Sequence, residues 1–236
     1  TLYDGPTKIE LVGHDLFVDG DRHPRTTRTM REMRKTLLSY SEAKGNNEAY
    51  FMYRNVYREG ELRFDITVIP AEHFGDECAK THGHYHPGSE DGPGYPEVYQ
   101  VLHGSAVFIL QKKNRNGSVN VTMVNAEKGE TVLLPPGYGH VTVNKGEDVL
   151  VLSNLVYDRF ESLYGDYAAN QGAAYYYLPG GEIRQNSNYI VEKNERVSAK
   201  EFNSRYGFAC DDLLLELQRE PKKFEFLMKP GLLQKK

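Results

Sequence analysis

From about residue 49 to residue 157 the chain is a succession of short runs rich in β-branched and aromatic residues, broken by Gly, Asn and Pro. The runs are Ala49–Val56, Arg63–Pro70, Glu97–Gln111, Ser118–Asn125, Glu130–Pro135, His140–Val143 and Asp148–Tyr157. Side chains of this kind suit a pleated, half-buried surface. Asn114-Arg115-Asn116-Gly117 reads as a hairpin turn, because Asn and Gly tolerate positive φ, and Lys145-Gly146-Glu147-Asp148 reads as another. Strands at this spacing imply an antiparallel sandwich or barrel. The 236 residues are enough for one large β-rich domain.

The flanks differ in texture. Residues 1–48 are polar, and Arg25, Arg28, Arg31 and Arg34 recur every three residues, which would set them on one side of a helical segment. Such a run is usually a solvated face, and the sharper alternative is that one or two of the guanidiniums reach an anionic ligand. Near the other end, Ser198-Ala-Lys-Glu201 fits a capping box with Val197 and Phe202 as its staple, and Gly207 suits a helix stop. Asp211 and Asp212 precede a second short helix, Leu213–Leu217, and Pro221 opens a third, Lys222–Met228. The expected organisation is an N-terminal segment over 1–48 packing on a barrel over 49–191, followed by a helical extension over 192–236.

Composition removes several function classes. Lys plus Arg is 29 against 33 Asp plus Glu, a net charge of −4, so the basic excess of a sequence-independent nucleic-acid binder is missing. No apolar run approaches the ~20 residues that span a bilayer. Two cysteines, Cys78 and Cys210, lie far apart and read as reduced thiols. Thr1–Pro6 lacks the charged-then-apolar pattern of a signal peptide, so the cytoplasm is the expected compartment.

Five of the eight histidines fall between His73 and His103. The densest stretch is Thr81-His82-Gly83-His84-Tyr85-His86. On a strand, His82, His84 and His86 would project from one face, about 7 Å between neighbours. Two imidazoles on one face can grip a divalent metal. Glu97 heads an apolar strand, where an unpaired carboxylate would be costly. Further on, Gly129–Asn144 runs through the Pro135-Pro136-Gly137 turn, which fixes where His140 falls.

H-x-H, E-x6-G and G-x5-P-x-G-x2-H-x3-N are cupin motifs. Here they fall on His84 and His86, on Glu97 with Gly104, and on Gly129, Pro135, Gly137, His140 and Asn144. The sequence departs in the long Gly- and Pro-rich insertion Pro87–Pro96, read as a loop over the barrel mouth, and in Cys78, where a Gly is usual. Glu90 in the insertion competes with Glu97, but Glu97 has the spacing to Gly104. The resemblance implies an all-β cupin jelly roll with a C-terminal helical appendage. It also implies metal ligands His84, His86, Glu97 and His140, a donor set that suits Fe(II) first, with Mn(II), Ni(II) or Zn(II) as the other candidates.

Over about residues 20–170 the chain further resembles the cupin-type glucose-6-phosphate isomerases, best known from archaea. The likeness rests on Leu62-x-Phe64, Thr67-Val-Ile-Pro70, Thr81-x-Gly83-His84-x-His86, Glu97-Val98-Tyr99 and Pro135-Pro136 leading to His140 and Asn144. It implies interconversion of glucose 6-phosphate and fructose 6-phosphate, by enediolate proton transfer or a hydride shift, with Glu97 as the acid/base. Thr67, Thr81 and the Gly83 backbone are implied at the phosphate, by hydroxyl and amide donors rather than a cluster of charges, and Tyr99, Tyr157 and Tyr50 around the sugar. Family members often carry a further His after the Tyr157 strand. Residues 158–170 hold none, and His82 is a candidate replacement. A homodimer is implied as well. Two other readings share the metal site: a cupin dioxygenase acting on an organic substrate, and a phosphosugar-binding cupin without catalysis.

Overall fold

The computed structural model describes residues 1–40, 48–89, 92 and 94–233. Two facing sheets dominate it. The first runs, in spatial order, Thr131–Leu134, Glu97–His103, Leu150–Tyr157, Leu62–Ile69, Glu48–Glu59 and Thr26–Thr29, antiparallel throughout. The second holds Tyr138–Asn144, Ser105–Lys113 and Val119–Glu127, antiparallel, with Val191–Ser198 added parallel at its edge. Successive strands keep crossing between the sheets, and the result is the cupin jelly roll with helices after it.

The crossings have local causes. At Gly104 the chain passes from Glu97–His103 to Ser105–Lys113 with φ 79°, and a Cβ there would meet the Val149 carbonyl oxygen at 2.8 Å, so only Gly fits. Pro135-Pro136-Gly137 carries the chain from Thr131–Leu134 in one sheet to Tyr138–Asn144 in the other.

Both sheets are covered on both faces. Tyr99, Val101 and Leu152 of the first sheet meet Phe108 and Leu110 of the second in the barrel interior. Strand Leu62–Ile69 alternates: Phe64, Ile66 and Val68 face outward, under Ile9 and Leu16 of the N-terminal hairpins and Leu213, Leu217 and Phe224 of the C-terminal helices. Its other face carries Arg63 and Thr67 to the interior cavity. The outer face of the second sheet, with Val107, Ile109 and Val141, is covered by Tyr85, Tyr167 and Tyr175.

Several elements differ from the expectations. The arginine-rich segment is mostly extended: Thr26–Thr29 is a strand and only Met30–Met33 forms a helical turn, capped by a Thr29/Glu32 box. The β-branched threonines pair with Glu48–Glu59, which overrides the three-residue spacing, and Arg25 lies over Phe51 whereas Arg28 lies over Tyr164. The N-terminal segment is not merely polar covering; Tyr3–Asp4, Lys8–Val12, Asp15–Val18 and Asp21–Arg22 form a small sheet. Lys145–Asp148 is not a hairpin, because the strands it joins lie in different sheets. Val191–Ser198, expected within the helical extension, is a strand satisfied by the open edge of Val119–Glu127. The helices Ala199–Ser204 and Leu213–Arg219 form with Ser198 and Asp212 as side-chain caps, and Pro221–Leu227 is 3-10 rather than α. Cys78 and Cys210 are buried free thiols. No helix of the described residues is long and apolar enough to cross a membrane.

Leu217 is fully buried between its helix and the first sheet. Leu217→Ala should lose about 2–5 kcal/mol in urea unfolding. A loss below about 0.5 kcal/mol would mean that the C-terminal helices are not part of the cooperative unit.

Candidate functional site

His84 and His140 oppose each other across an isolated antiparallel bridge, with His84 N–H donating to the His140 carbonyl at 3.2 Å and the reverse bond at 3.0 Å. His86 lies two residues beyond His84, and Glu97 enters from the facing sheet at the start of its strand. One ligand atom from each of these four side chains lies within 4.8 Å of all the others. Gly83 lets this approach happen: its φ is 84°, and a Cβ would strike Val141 at 2.5 Å and the Tyr167 ring at 2.6 Å.

Hydrogen bonding fixes what these atoms offer. His86 Nδ1 lies 2.7 Å from the Tyr95 carbonyl, which can only accept, so Nδ1 carries a proton and Nε2 is the nitrogen turned into the cluster. That Nε2 is 3.3 Å from His84 Nε2 and 3.3 Å from Glu97 Oε2. Asn154 donates to Glu97 Oε1 at 2.7 Å and turns the other oxygen inward. Glu97 Oε2 is buried and has no hydrogen-bond partner among the described residues. Burial drives the His84 imidazole well below its usual range, and His140 to about 4, chiefly by burial, with nearby Glu97 pulling the other way. Burial pushes the Glu97 carboxyl up, but neighbouring His86 and His140 outweigh it and hold it below the ordinary range. His84 and His140, kept neutral by burial, together with His86 and an ionised carboxylate are a donor set for a divalent cation, and the orphaned Oε2 is the atom such an ion would satisfy. The residues therefore fit one divalent metal.

The same cavity gathers most of the other candidates. Tyr50, Thr67, Thr81, Gly83, Tyr99 and Tyr157 all line it. Tyr99 Oη is 2.9 Å from His140 Nε2. Thr81 Oγ1 accepts from Thr142 N–H at 3.0 Å, which leaves its own proton for a ligand. His82 is the exception: it is buried outside the lining, edge-on behind Tyr164 with ring centroids 5.2 Å apart and Nδ1 3.1 Å from the Gly83 carbonyl. The replacement role suggested for it lacks a route to the cavity. Glu90 lies outside the described residues. His103 pairs with Asp148 at the surface, and His14 packs on Phe51.

Sequence reasoning missed Arg54, Arg63, Asn154, Phe160, Ser162 and Tyr164, all of which line the cavity. Asn154 had a signal, since Ser153-Asn154 is a polar pair in an apolar strand. The segment after Tyr157, noted for lacking His, supplies Ser162 and Tyr164 instead, and Phe160 packs on His86 at 4.6 Å and stacks on Tyr95 at 5.0 Å. Arg54 and Arg63 bring two guanidiniums to the lining beside the expected hydroxyl donors.

The family model and the curated relatives agree on one family. A family model described as glucose-6-phosphate isomerase matches residues 25–193. A curated glucose-6-phosphate isomerase of Thermococcus litoralis is 29% identical over 146 residues, 61% of this chain and 64% of that one. One from Sinorhizobium medicae is 31% identical over 100 residues, 42% of this chain and 43% of that one. The chain thus matches less than two thirds of the length of either relative. Among solved structures, oxalate decarboxylase from Bacillus subtilis is 18% identical with a TM-score of 0.36, over 48% of this chain and 27% of that one.

Replacing His84 or His140 with Ala should remove most metal from the purified protein, read by elemental analysis; full occupancy in both variants would put the site elsewhere. Asn154→Ala should raise the metal Kd about 10–100-fold in chelator competition by freeing the Glu97 carboxylate to turn. An unchanged Kd would show that the amide does not position it.

Proposed function

This chain belongs to the glucose-6-phosphate isomerase family, and from that premise we propose that it interconverts glucose 6-phosphate and fructose 6-phosphate with one bound divalent metal. The observation that carries the reading is the buried, unpartnered Glu97 Oε2 facing imidazole nitrogens inside a cavity lined with hydroxyl donors. His84, His86, His140 and Glu97 would hold the ion, Fe(II) first and Mn(II), Ni(II) or Zn(II) otherwise. When bound, it supplies Lewis-acid polarisation of sugar oxygens.

The chain's own residues account for the rest. Glu97 is the carboxylate among the described lining residues, so it is the group that moves a proton between C1 and C2 of the open-chain sugar. Its lowered proton affinity keeps it ionised and able to accept. Asn154 holds Oε1 and so fixes the plane in which the Glu97 carboxylate faces the cavity. Tyr99, two residues on and on the same face, bonds a sugar hydroxyl, with Tyr50 and Tyr157 along the wall. Thr67 and Thr81 hydroxyls with the Gly83 amide receive the phosphate. Phe160 and Tyr95, stacked beside His86, exclude water at that wall. The same reading makes the protein a cytoplasmic homodimer.

The test is a coupled assay of fructose 6-phosphate conversion by protein loaded in turn with Fe, Mn, Ni and Zn. Turnover with at least one metal, lost about 10²–10⁴-fold in Glu97→Gln, is expected. Phosphosugar binding without turnover at any metal, or Fe(II)-dependent oxygen uptake with indifference to sugar phosphates, would contradict it. Solvent deuterium at the product's C1 or C2 marks proton transfer through Glu97, and complete retention marks a hydride shift.

A further inference from the structure

Glu48–Glu59 does not run straight along its partner. Its register with Leu62–Ile69 shifts between Tyr53 and Tyr57, a bulge spanning Arg54, Asn55 and Val56. Asn55 sits there at φ 59°, in the left-handed region that a non-glycine residue adopts only when its surroundings hold it. What holds it is Asp65. This carboxylate is 0% exposed and accepts from Asn55 N–H at 2.7 Å, from Arg54 Nη1 at 2.7 Å and from Arg63 Nε at 3.0 Å. Bulges of this kind bend a strand and re-aim a side chain. The side chain re-aimed here is Val56, which packs outward with Phe51 and Tyr53, whereas Arg54 keeps the cavity face of Tyr50 and Met52 and is held at the edge of the bulge by Asp65.

Two guanidiniums line that cavity among the described residues, and they are not equivalent. Arg63 is bonded to two carboxylates, Asp65 and Asp158, and Asp158 is shared with Arg58. Arg54 has Asp65 alone, and its Nη2 lies 3.3 Å from the Met52 sulfur, a weak acceptor. A guanidinium carries five N–H donors, so most of those on Arg54 have no strong partner. Its side chain is 42% exposed, whereas that of Arg63 is 25% exposed. Met52 is paired in register with Thr67, and all three of Met52, Arg54 and Thr67 line the cavity.

We propose that Arg54, on the cavity face at the edge of the bulge and braced by Asp65, is the charged residue that contacts the phosphoryl group of the ligand. The inference rests on the reading of that ligand as a sugar phosphate. Hydroxyl and amide donors can orient a phosphate but bring no opposite charge to a dianion; Arg54 does, with a planar fork suited to two oxygens. Asp65 fixes the fork without cancelling it, since the Arg54, Arg63 and Asp65 group retains a net positive charge.

The test compares metal-loaded wild type, Arg54→Gln and Arg54→Lys by calorimetric titration with fructose 6-phosphate and with inorganic phosphate. A charge-assisted bond of the usual strength corresponds to about 10–100-fold in affinity. Arg54→Gln should therefore bind both probes about 10–100-fold more weakly, with metal content unchanged. Arg54→Lys should lose about fivefold or more for fructose 6-phosphate, because one ammonium cannot serve Asp65 and the ligand together, and it decides the matter if the Gln variant does not fold. A folded variant that binds fructose 6-phosphate within twofold of wild type overturns the assignment, as does a wild type that binds neither probe. Wild-type binding without turnover, lost in Arg54→Gln, would sink the isomerase reading while upholding Arg54.

Discussion

Glu97 Oε2, buried among the nitrogens of His84, His86 and His140 with no proton to share, is the constraint on which the rest of the structure depends. Lone pairs crowded in a low-dielectric interior repel one another, and the Tyr99 hydroxyl meets only one of them, His140 Nε2. A cation would resolve the conflict, and two neighbouring bonds prepare for one. The Tyr95 carbonyl sets the His86 tautomer, and the Asn154 amide occupies the other carboxylate oxygen. The price in local stability is offset by a barrel whose two sheets are each covered on both faces.

That layering explains why the flanking segments matter. The first sheet is apolar outside, and it needs both the N-terminal hairpins and the C-terminal helices over Phe64, Ile66 and Val68. Freed from solvent on that face, Leu62–Ile69 can devote its inner face to polar work with Arg63, Asp65 and Thr67. A strand with one face in water could not carry charge on its inner face and still hold the sheet together.

Much of this was legible in the residues. The strands between 49 and 157 were readable because β-branched runs with Gly and Asn turns have few alternatives, and the four cluster residues because their spacing lies within two β motifs. What escaped was set by long-range pairing. The threonines at 26–29 became a strand because Glu48–Glu59 offered an edge, against a spacing that suggested a helix. Val191–Ser198 has a solvent-exposed composition and became a strand for the same reason. Arg54 was missed because its place at the cavity is fixed by a bond to Asp65, eleven positions along the chain. His82 was misplaced because the alternation of faces breaks at Gly83, whose positive φ turns the backbone.

The central claim is that one divalent ion sits among His84, His86, Glu97 and His140. X-ray absorption at the metal edge of Zn(II)-loaded protein tests it most directly. Imidazole scattering fitted by three nitrogen ligands and a carboxylate oxygen, at about 2.0–2.2 Å, is the result the account requires. A first shell containing sulfur, or oxygen alone without imidazole, would contradict it.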